Sequence, residues 1–228
     1  MIDTALCFSG GKDSLACLYL NKDKWDDIYV VWVNTQAVYK EQYDYMMKWK
    51  EKLPHFVEVK SNQPLSIYEN GWPVDIVPVT NMVFGKVISG NTGPLFQSWI
   101  SCCSQNIWTP LNTAVRELGV TKVIKGQKIA DGLKSPSRNG MVVDGLEYVQ
   151  PLDNWTEKQV FEYLESVGAD VPSYYSDGEK TGRDCWDCTA YLYDNKKRID
   201  NLPTHKKTEV NRRITLWKQE ITKQLEEV

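Results

Sequence analysis

Two groups of residues in the chain have the types and spacing to do chemistry. The first is Ser9-Gly10-Gly11-Lys12-Asp13-Ser14, which follows the apolar run Ala5-Leu6-Cys7-Phe8 and precedes Leu15-Ala16-Cys17-Leu18-Tyr19-Leu20. That order reads as a strand, a tight glycine turn and a helix start. Adjacent glycines let the backbone approach an anion closely. The unpaired amides and the dipole of the helix start face it, and Ser9, Lys12 and Ser14 add donors and charge. Phosphate binding is the chemistry implied; an ordinary strand-to-helix turn capped by Asp13 or Ser14 is the plain alternative. The glycines are too close together for a Walker A loop and do not form the Gly-x-Gly-x-x-Gly dinucleotide pattern.

The second group is Cys102-Cys103 with Cys185-x-x-Cys188. Four thiolates in two tight pairs suit a soft metal or an iron–sulfur cluster, each pair supplying two ligands from one short turn. Structural zinc is the ordinary use of a Cys-x-x-Cys pair. Adjacent cysteines lack the spacer of a zinc hairpin, so the spacing favours a cluster, with zinc as the alternative. Cys7 and Cys17, in the strand and helix around the glycine turn, read as buried thiols without a ligand.

The elements that must position these groups alternate. Ile28-Tyr29-Val30-Val31-Trp32-Val33 is a continuous apolar run, as a parallel strand buried on both faces requires. Residues at the carboxyl end of such a strand border a ligand crevice, which makes Asn34, Thr35 and Gln36 candidates for ribose or adenine contacts, or else helix caps. Residues 42–53 have helical composition, 56–59 read as a strand, and 61–93 show no assignable pattern beyond an irregular excursion. A helix over 107–119 ends at Gly119 as its C-cap. The strand Lys122-Val123-Ile124 leads into Gly126-Gln127-Lys128, then a loop with Lys134, Ser135, Pro136, Ser137 and Arg138, and a hairpin signalled by Asp144-Gly145. Thr156 and Gln159 form a capping box for a helix over 157–167. Residues 174–184 are polar and predict a mobile loop. Val210, Ile214, Trp217, Ile221 and Leu225 make one apolar stripe of a long helix, for packing on the body of the domain or for a homodimer contact.

The fold class implied is α/β, a mostly parallel twisted sheet with helices on both faces. The 228 residues allow one core with an appendage. The expected division is a nucleotide-binding domain over 1–170 and a C-terminal extension over 171–228 packed on it. A net charge of −3, with 42% apolar and 25% charged residues, describes a folded soluble chain without global attraction to nucleic acid. No apolar run approaches the ~18 residues of a membrane span, and no secretory signal opens the chain, so the cytoplasm is the expected location. In that reducing compartment six cysteines are not read as three disulfides.

The glycine turn resembles the PP-loop of the adenine-nucleotide alpha-hydrolase superfamily. With Cys102-Cys103 followed by Pro110-Leu111, Gly126-Gln127-Lys128, Pro151-Leu152 with Trp155, and Cys185-x-x-Cys188-Thr189, most of the chain resembles the phosphoadenylyl/adenylyl sulfate reductase family. The resemblance implies that Cys102, Cys103, Cys185 and Cys188 ligate a 4Fe-4S cluster. It implies that Ser9, Gly10, Gly11, Lys12, Asp13 and Ser14, with Asn34, Thr35, Gly126 and Gln127, hold ATP or adenylyl sulfate.

Two departures from the family redirect the expected function. Its reductases attack sulfur with a C-terminal cysteine, and none follows Cys188; and Lys128, Asp131 and Gly132 stand where an Arg and a Glu-Ser pair are usual. Lysine does not reproduce the bidentate grip of arginine. Members of the superfamily without that cysteine commonly adenylylate an oxygen, release pyrophosphate and let sulfur or nitrogen displace AMP. The DNA phosphorothioation ATP pyrophosphatases are the nearest in logic. The expected function is therefore an iron–sulfur ATP pyrophosphatase of sulfur transfer, with Lys12, Asp13 and Lys128 catalytic. Mg2+ stands near Asp13, Lys134 or Arg138 assists at the substrate phosphate, a cysteine desulfurase donates sulfur, and DNA or tRNA accepts it. A sulfonucleotide reductase and a non-catalytic nucleotide and cluster sensor are the rivals. His55 and His205 read as surface residues, leaving no evident general base.

Overall fold

The structure is a computed structural model, and it describes residues 2–131 and 137–226. In chain order its elements are β1 (Thr4–Cys7), α1 (Lys12–Leu20), β2 (Tyr29–Asn34), α2 (Lys40–Lys52), β3 (Phe56–Lys60), α3 (Gln63–Asn70), β4 (Trp72–Val74) and α4 (Val83–Ser89). Next come β5 (Phe96–Ser98), α5 (Trp99–Cys103), a π-helical turn (Ser104–Trp108), α6 (Thr109–Glu117), β6 (Lys122–Ile124), β7 (Val142–Val143) and β8 (Leu146–Val149). The chain closes with α7 (Glu157–Ser166), α8 (Leu192–Asp200) and α9 (Thr204–Glu226). The described residues fall into two compact units, one of 1–34, 40–60 and 110–175, the other of 35–39, 61–109 and 176–228. The division expected at residue 170 grouped 61–109 with the first part; by their contacts these residues group with the C-terminal segment instead.

The first unit carries a six-stranded sheet in the order β3-β2-β1-β6-β8-β7, parallel throughout except for β7 against β8. Leu6 of β1 lies opposite Val30 on one side and Ile124 on the other. Because strands in the middle of such a sheet lose water on both faces, Val30, Val31, Trp32 and Val33 are all buried, which is the continuous apolar run read as pattern. Leu15, Ala16, Cys17 and Leu18, in the middle of α1, are fully buried. Ala5, Val31, Val115, Val123 and Leu146 form one core cluster of this unit. Asp144 and Gly145 both have positive φ, 50° and 79°, the left-handed pair that closes a two-residue hairpin. The Thr156–Gln159 capping box forms in both directions.

The second unit is built on the segment that showed no pattern. Asn62 accepts a hydrogen bond from the Leu65 amide and so caps α3, with Pro64 in its first turn. β4 then pairs in parallel with β5, Trp72 opposite Phe96. Val74, Phe96 and Trp217 make one core, and Tyr39, Ile199, Leu202 and Val210 another. The α9 stripe packs through Val210, Ile214, Trp217 and Ile221 but ends there, since Leu225 is 71% exposed. The loop expected to be mobile is anchored by Glu179, whose carboxylate accepts from Arg183 at 3.0 and 2.7 Å and from Asn201 at 2.9 Å.

On α9, the hydrogen bonds of Arg212 outweigh partial burial and, with Arg213, hold the Glu209 carboxyl down at about 2. A depressed carboxyl stabilises the fold above its ordinary value of 4.5 and loses that contribution as pH falls toward about 2. Glu209→Gln is expected to cost about 0.5–1 kcal/mol at pH 7, the scale of a partly exposed ion pair. It should also flatten the acid limb of stability in that window, which urea titrations at several pH values would read.

Candidate functional site

In the first unit, β1 and β6 are parallel neighbours whose chains leave toward opposite edges of the sheet, β1 to β2 and β6 to β8. Loops at the carboxyl ends of two such strands border the crevice in which open α/β sheets bind ligands. Those loops are residues 8–11 and 125–128. Gly10 has φ +74°, a conformation that favours glycine, and a Cβ there would lie 2.3 Å from Gln42 Nε2 and 2.6 Å from Met46 Sδ, so these two side chains would have to shift. The Ser9 amide donates to Ser14 Oγ at 3.2 Å, Ser14 Oγ donates to the Gly11 carbonyl at 3.0 Å, and Gln42 Nε2 donates to the Ser9 carbonyl at 2.8 Å. The Lys12 amide, first of α1, donates to the Tyr175 hydroxyl at 3.1 Å, and the Lys12 ammonium lies 5.4 Å from the centre of the Tyr175 ring. Sequence reasoning missed Gln42 and Tyr175, because no local pattern marks a residue that supports a turn from a distant element.

Charge at the turn is paired tightly. Lys12 Nζ lies 3.0 Å from Asp13 Oδ2, and Lys128 Nζ lies 2.5 Å from Asp13 Oδ1 and 2.8 Å from Asp131 Oδ1. Burial works against the Lys12 charge, but Asp13, Tyr175 and Glu157 together hold the ammonium above its ordinary value. Both Asp13 oxygens thus face lysines, an arrangement that orients two cations and opposes a divalent ion on the same carboxylate. Gly126 lies against the start of α1 so closely that a Cβ would be 2.7 Å from the Asp13 carbonyl carbon. Beside it, Gln127, Lys128, Ser137, Arg138, Gln150 and Asp153 line a cavity of about 150 Å³, and the buried Gln127 Oε1 has no hydrogen-bond partner among the described residues. Lys134 and Gly132, with Ser135 and Pro136, lie outside the described residues. Asn34, a candidate nucleotide contact, donates to Glu58 Oε1 at 2.9 Å.

The four candidate ligand cysteines all belong to the second unit. Cys102 and Cys103 sit on a helix, α5, and not on the short turn expected, so their side chains diverge by roughly 100° around its axis. Thr35, expected at the nucleotide, is fully buried here: its hydroxyl donates to the Asp184 carbonyl at 2.5 Å and lies 3.6 Å from Cys185 Sγ. Burial pushes the Cys102 thiol up to about 12, with Cys188 adding to the effect. It raises Cys103, Cys185 and Cys188 as well, and Cys103 and Cys185 also feel Cys188. All six cysteines are free thiols, with Cys17 buried and Cys7 partly so. Among the described residues, no three His, Cys, Asp or Glu side chains converge closely enough to share a single metal ion. Neither histidine takes part in the contacts of these two sites: His205 is exposed, and half-buried His55 lies edge-on to Tyr29.

A model of the phosphoadenosine phosphosulfate reductase domain matches residues 3–191. The chain belongs to that family. Family members are enzymes, and the sheet and glycine turn place this one among proteins of the PP-loop fold. Its structure is similar to a phosphoadenylyl-sulfate reductase from Candida auris determined as a phosphate complex, with 17% identity, a TM-score of 0.54, and coverage of 80% of this chain and 81% of that one. It is also similar to the NMN synthetase of Francisella tularensis, with 12% identity, a TM-score of 0.53, and coverage of 96% and 86%. Likeness at these identities establishes the fold alone. No curated protein shows significant sequence similarity to this reductase-family chain. No described helix is long and apolar enough to cross a membrane.

Proposed function

We propose that this member of the phosphoadenosine phosphosulfate reductase family is an iron–sulfur ATP pyrophosphatase of sulfur transfer. The β and γ phosphates of ATP sit on the turn of Ser9, Gly10, Gly11 and Ser14. Lys12 and Lys128 meet the charge that develops as an acceptor oxygen attacks the α-phosphorus and pyrophosphate leaves. A sulfur nucleophile then displaces AMP from the adenylylated acceptor. The observation that carries the reading is the pair of lysine ammonium groups held by Asp13 at the open end of α1, at the sheet's switch point. Because Asp13 is occupied by lysines, Mg2+ is expected on the phosphates and not on this carboxylate.

The donor set of the second unit supports a 4Fe-4S cluster on Cys102, Cys103, Cys185 and Cys188. Four sulfur ligands select a soft centre. A cubane takes one thiolate at each of four corners and spreads them wider than one ion does, in keeping with ligands that do not converge on a single point. Such a cluster would hold the incoming sulfur. Since burial keeps these thiols protonated, loading it releases protons and favours higher pH. The proposed acceptor is a nucleic acid, through DNA phosphorothioation or a tRNA thiolation, and a cysteine desulfurase is the proposed donor. Free thiols throughout suit a reducing cytoplasm.

Two measurements test this proposal. Protein purified without oxygen should contain iron and acid-labile sulfide, lost in Cys188→Ser, and should release pyrophosphate from MgATP faster when DNA or tRNA is added. Family membership favours one second reading, sulfonucleotide reduction. Sulfite release from adenylyl sulfate with a dithiol present, and no pyrophosphate from ATP, would establish that reading and sink the first. ATP binding without turnover of either nucleotide would leave a sensor.

A further inference from the structure

Arg198 of α8 is 2% exposed. Its guanidinium donates to the carbonyl oxygens of Cys185 at 2.8 Å and Cys188 at 3.0 Å, to Asn195 Oδ1 at 3.0 Å and to the Tyr39 hydroxyl at 3.1 Å. Every one of these acceptors is neutral. Other cations of the same unit have carboxylates of their own: Arg183 lies 2.7 Å from Glu179, and Arg213 lies 3.2 Å from Asp187. Asp184, next in sequence to Cys185, feels the field of Arg198, but no ion pair joins them among the described residues.

A buried cation with no carboxylate in direct contact is unfavourable, and one whose hydrogen bonds all end on carbonyl, amide and hydroxyl oxygens is solvated without being paired. The groups it grips bracket a thiol pair. Those thiols acquire negative charge when they bind a metal centre, and the guanidinium is then a fixed cation hydrogen-bonded to both ends of the Cys-x-x-Cys turn. Resting on the cluster reading above, we infer that Arg198 is a positioning residue for that centre: its planar fork fixes the Cys185 and Cys188 carbonyls, and its charge offsets the ligated thiolates. Fixed positive charge near a cluster stabilises the reduced form, which carries one more electron, and so raises the reduction potential.

The test compares wild type, Arg198→Lys and Arg198→Gln, each reconstituted with iron and sulfide without oxygen. Iron and sulfide per chain are measured, and the midpoint potential is read by dithionite titration followed by visible absorbance and electron paramagnetic resonance. The expected result is a potential shifted to more negative values in Arg198→Gln, with reduced iron retention. Arg198→Lys keeps the charge and should hold a potential near that of wild type, with a partial loss of iron from the missing fork. A fully loaded Arg198→Gln protein with an unshifted potential, or equal losses in both variants, overturns the inference while leaving the cluster intact. Wild-type protein that binds no iron and sulfide overturns the cluster reading itself. Should Arg198→Gln fail to fold, Arg198→Lys decides alone: a loaded centre at the wild-type potential supports the charge role, and a shifted potential removes it.

Discussion

Lys128→Ala is expected to lower ATP-dependent pyrophosphate release by about a hundredfold or more, the usual cost of removing one preorganised group that meets developing charge. The side chain is 2% exposed, and its ammonium lies between Asp13 at 2.5 Å and Asp131 at 2.8 Å. A lysine held by two carboxylates before substrate arrives needs no reorganisation when charge appears on a phosphate, which is where the rate advantage lies. Structural damage should be smaller than the catalytic loss. Asp13 keeps Lys12 as a partner, and the Asp131 side chain is 41% exposed and rehydrates, so the variant should lose about 1–3 kcal/mol of stability and remain folded. Lys128→Arg restores charge but not shape, because a guanidinium is a larger, planar head that delivers its hydrogen bonds in one plane; it should recover only part of the rate. Melting curves and pyrophosphate assays on both variants separate the two effects. Nearly wild-type turnover in Lys128→Ala would remove this residue from the chemistry.

The glycine turn was legible in the sequence because its geometry is local. A strand, two glycines and a helix start occupy consecutive positions, and the same residues that make the backbone turn are the ones proposed to meet a phosphate. The parallel sheet was legible for a related reason: β2 is apolar along its length only if both of its faces are covered. What sequence could not show is support that comes from afar. Gln42 braces the Ser9 carbonyl from α2, Tyr175 meets the Lys12 amide from the far end of the unit, and Arg198 grips the cysteine turn from α8. Their identities carry no periodic or motif signal, since each contact is set by how elements pack. Thr35 shows the opposite case. Its place at a strand end pointed to a nucleotide, yet full burial and bonds to Asp184 and Cys185 tie it to the thiol group. The stretch 61–93 went unread because its elements are short, eight residues in α3, seven in α4 and three in β4, too short for a helical or alternating pattern to stand out.

Gly126→Ala tests whether the two loops at the switch point act as one device. The residue is not in the left-handed region, so alanine brings no backbone strain, and its effect is purely one of space. The added carbon would meet the Asp13 carbonyl carbon at 2.7 Å, the Asp13 oxygen at 2.8 Å and the Ser14 amide at 2.9 Å, all backbone atoms that cannot swing aside. The start of α1 and the loop after β6 must therefore move apart by several tenths of an ångström. Overpacking of this kind costs about 1–3 kcal/mol. In a chain of this size that lowers the melting temperature by roughly 2–4 °C for each kcal/mol. The same separation would stretch the Asp13–Lys128 pair and move both lysines relative to the proposed phosphates, and since misplacement by about 1 Å costs about a hundredfold in rate, a loss of up to that size is expected. Gly140→Ala is the control, for Gly140 has φ +78° and, among the described residues, nothing within 4 Å of its would-be Cβ. It should lose about 1 kcal/mol to backbone strain and keep full turnover. If the two alanine variants lost stability alike and both kept wild-type pyrophosphate release, the close fit of Gly126 against α1 would be a packing detail and not part of the phosphate site.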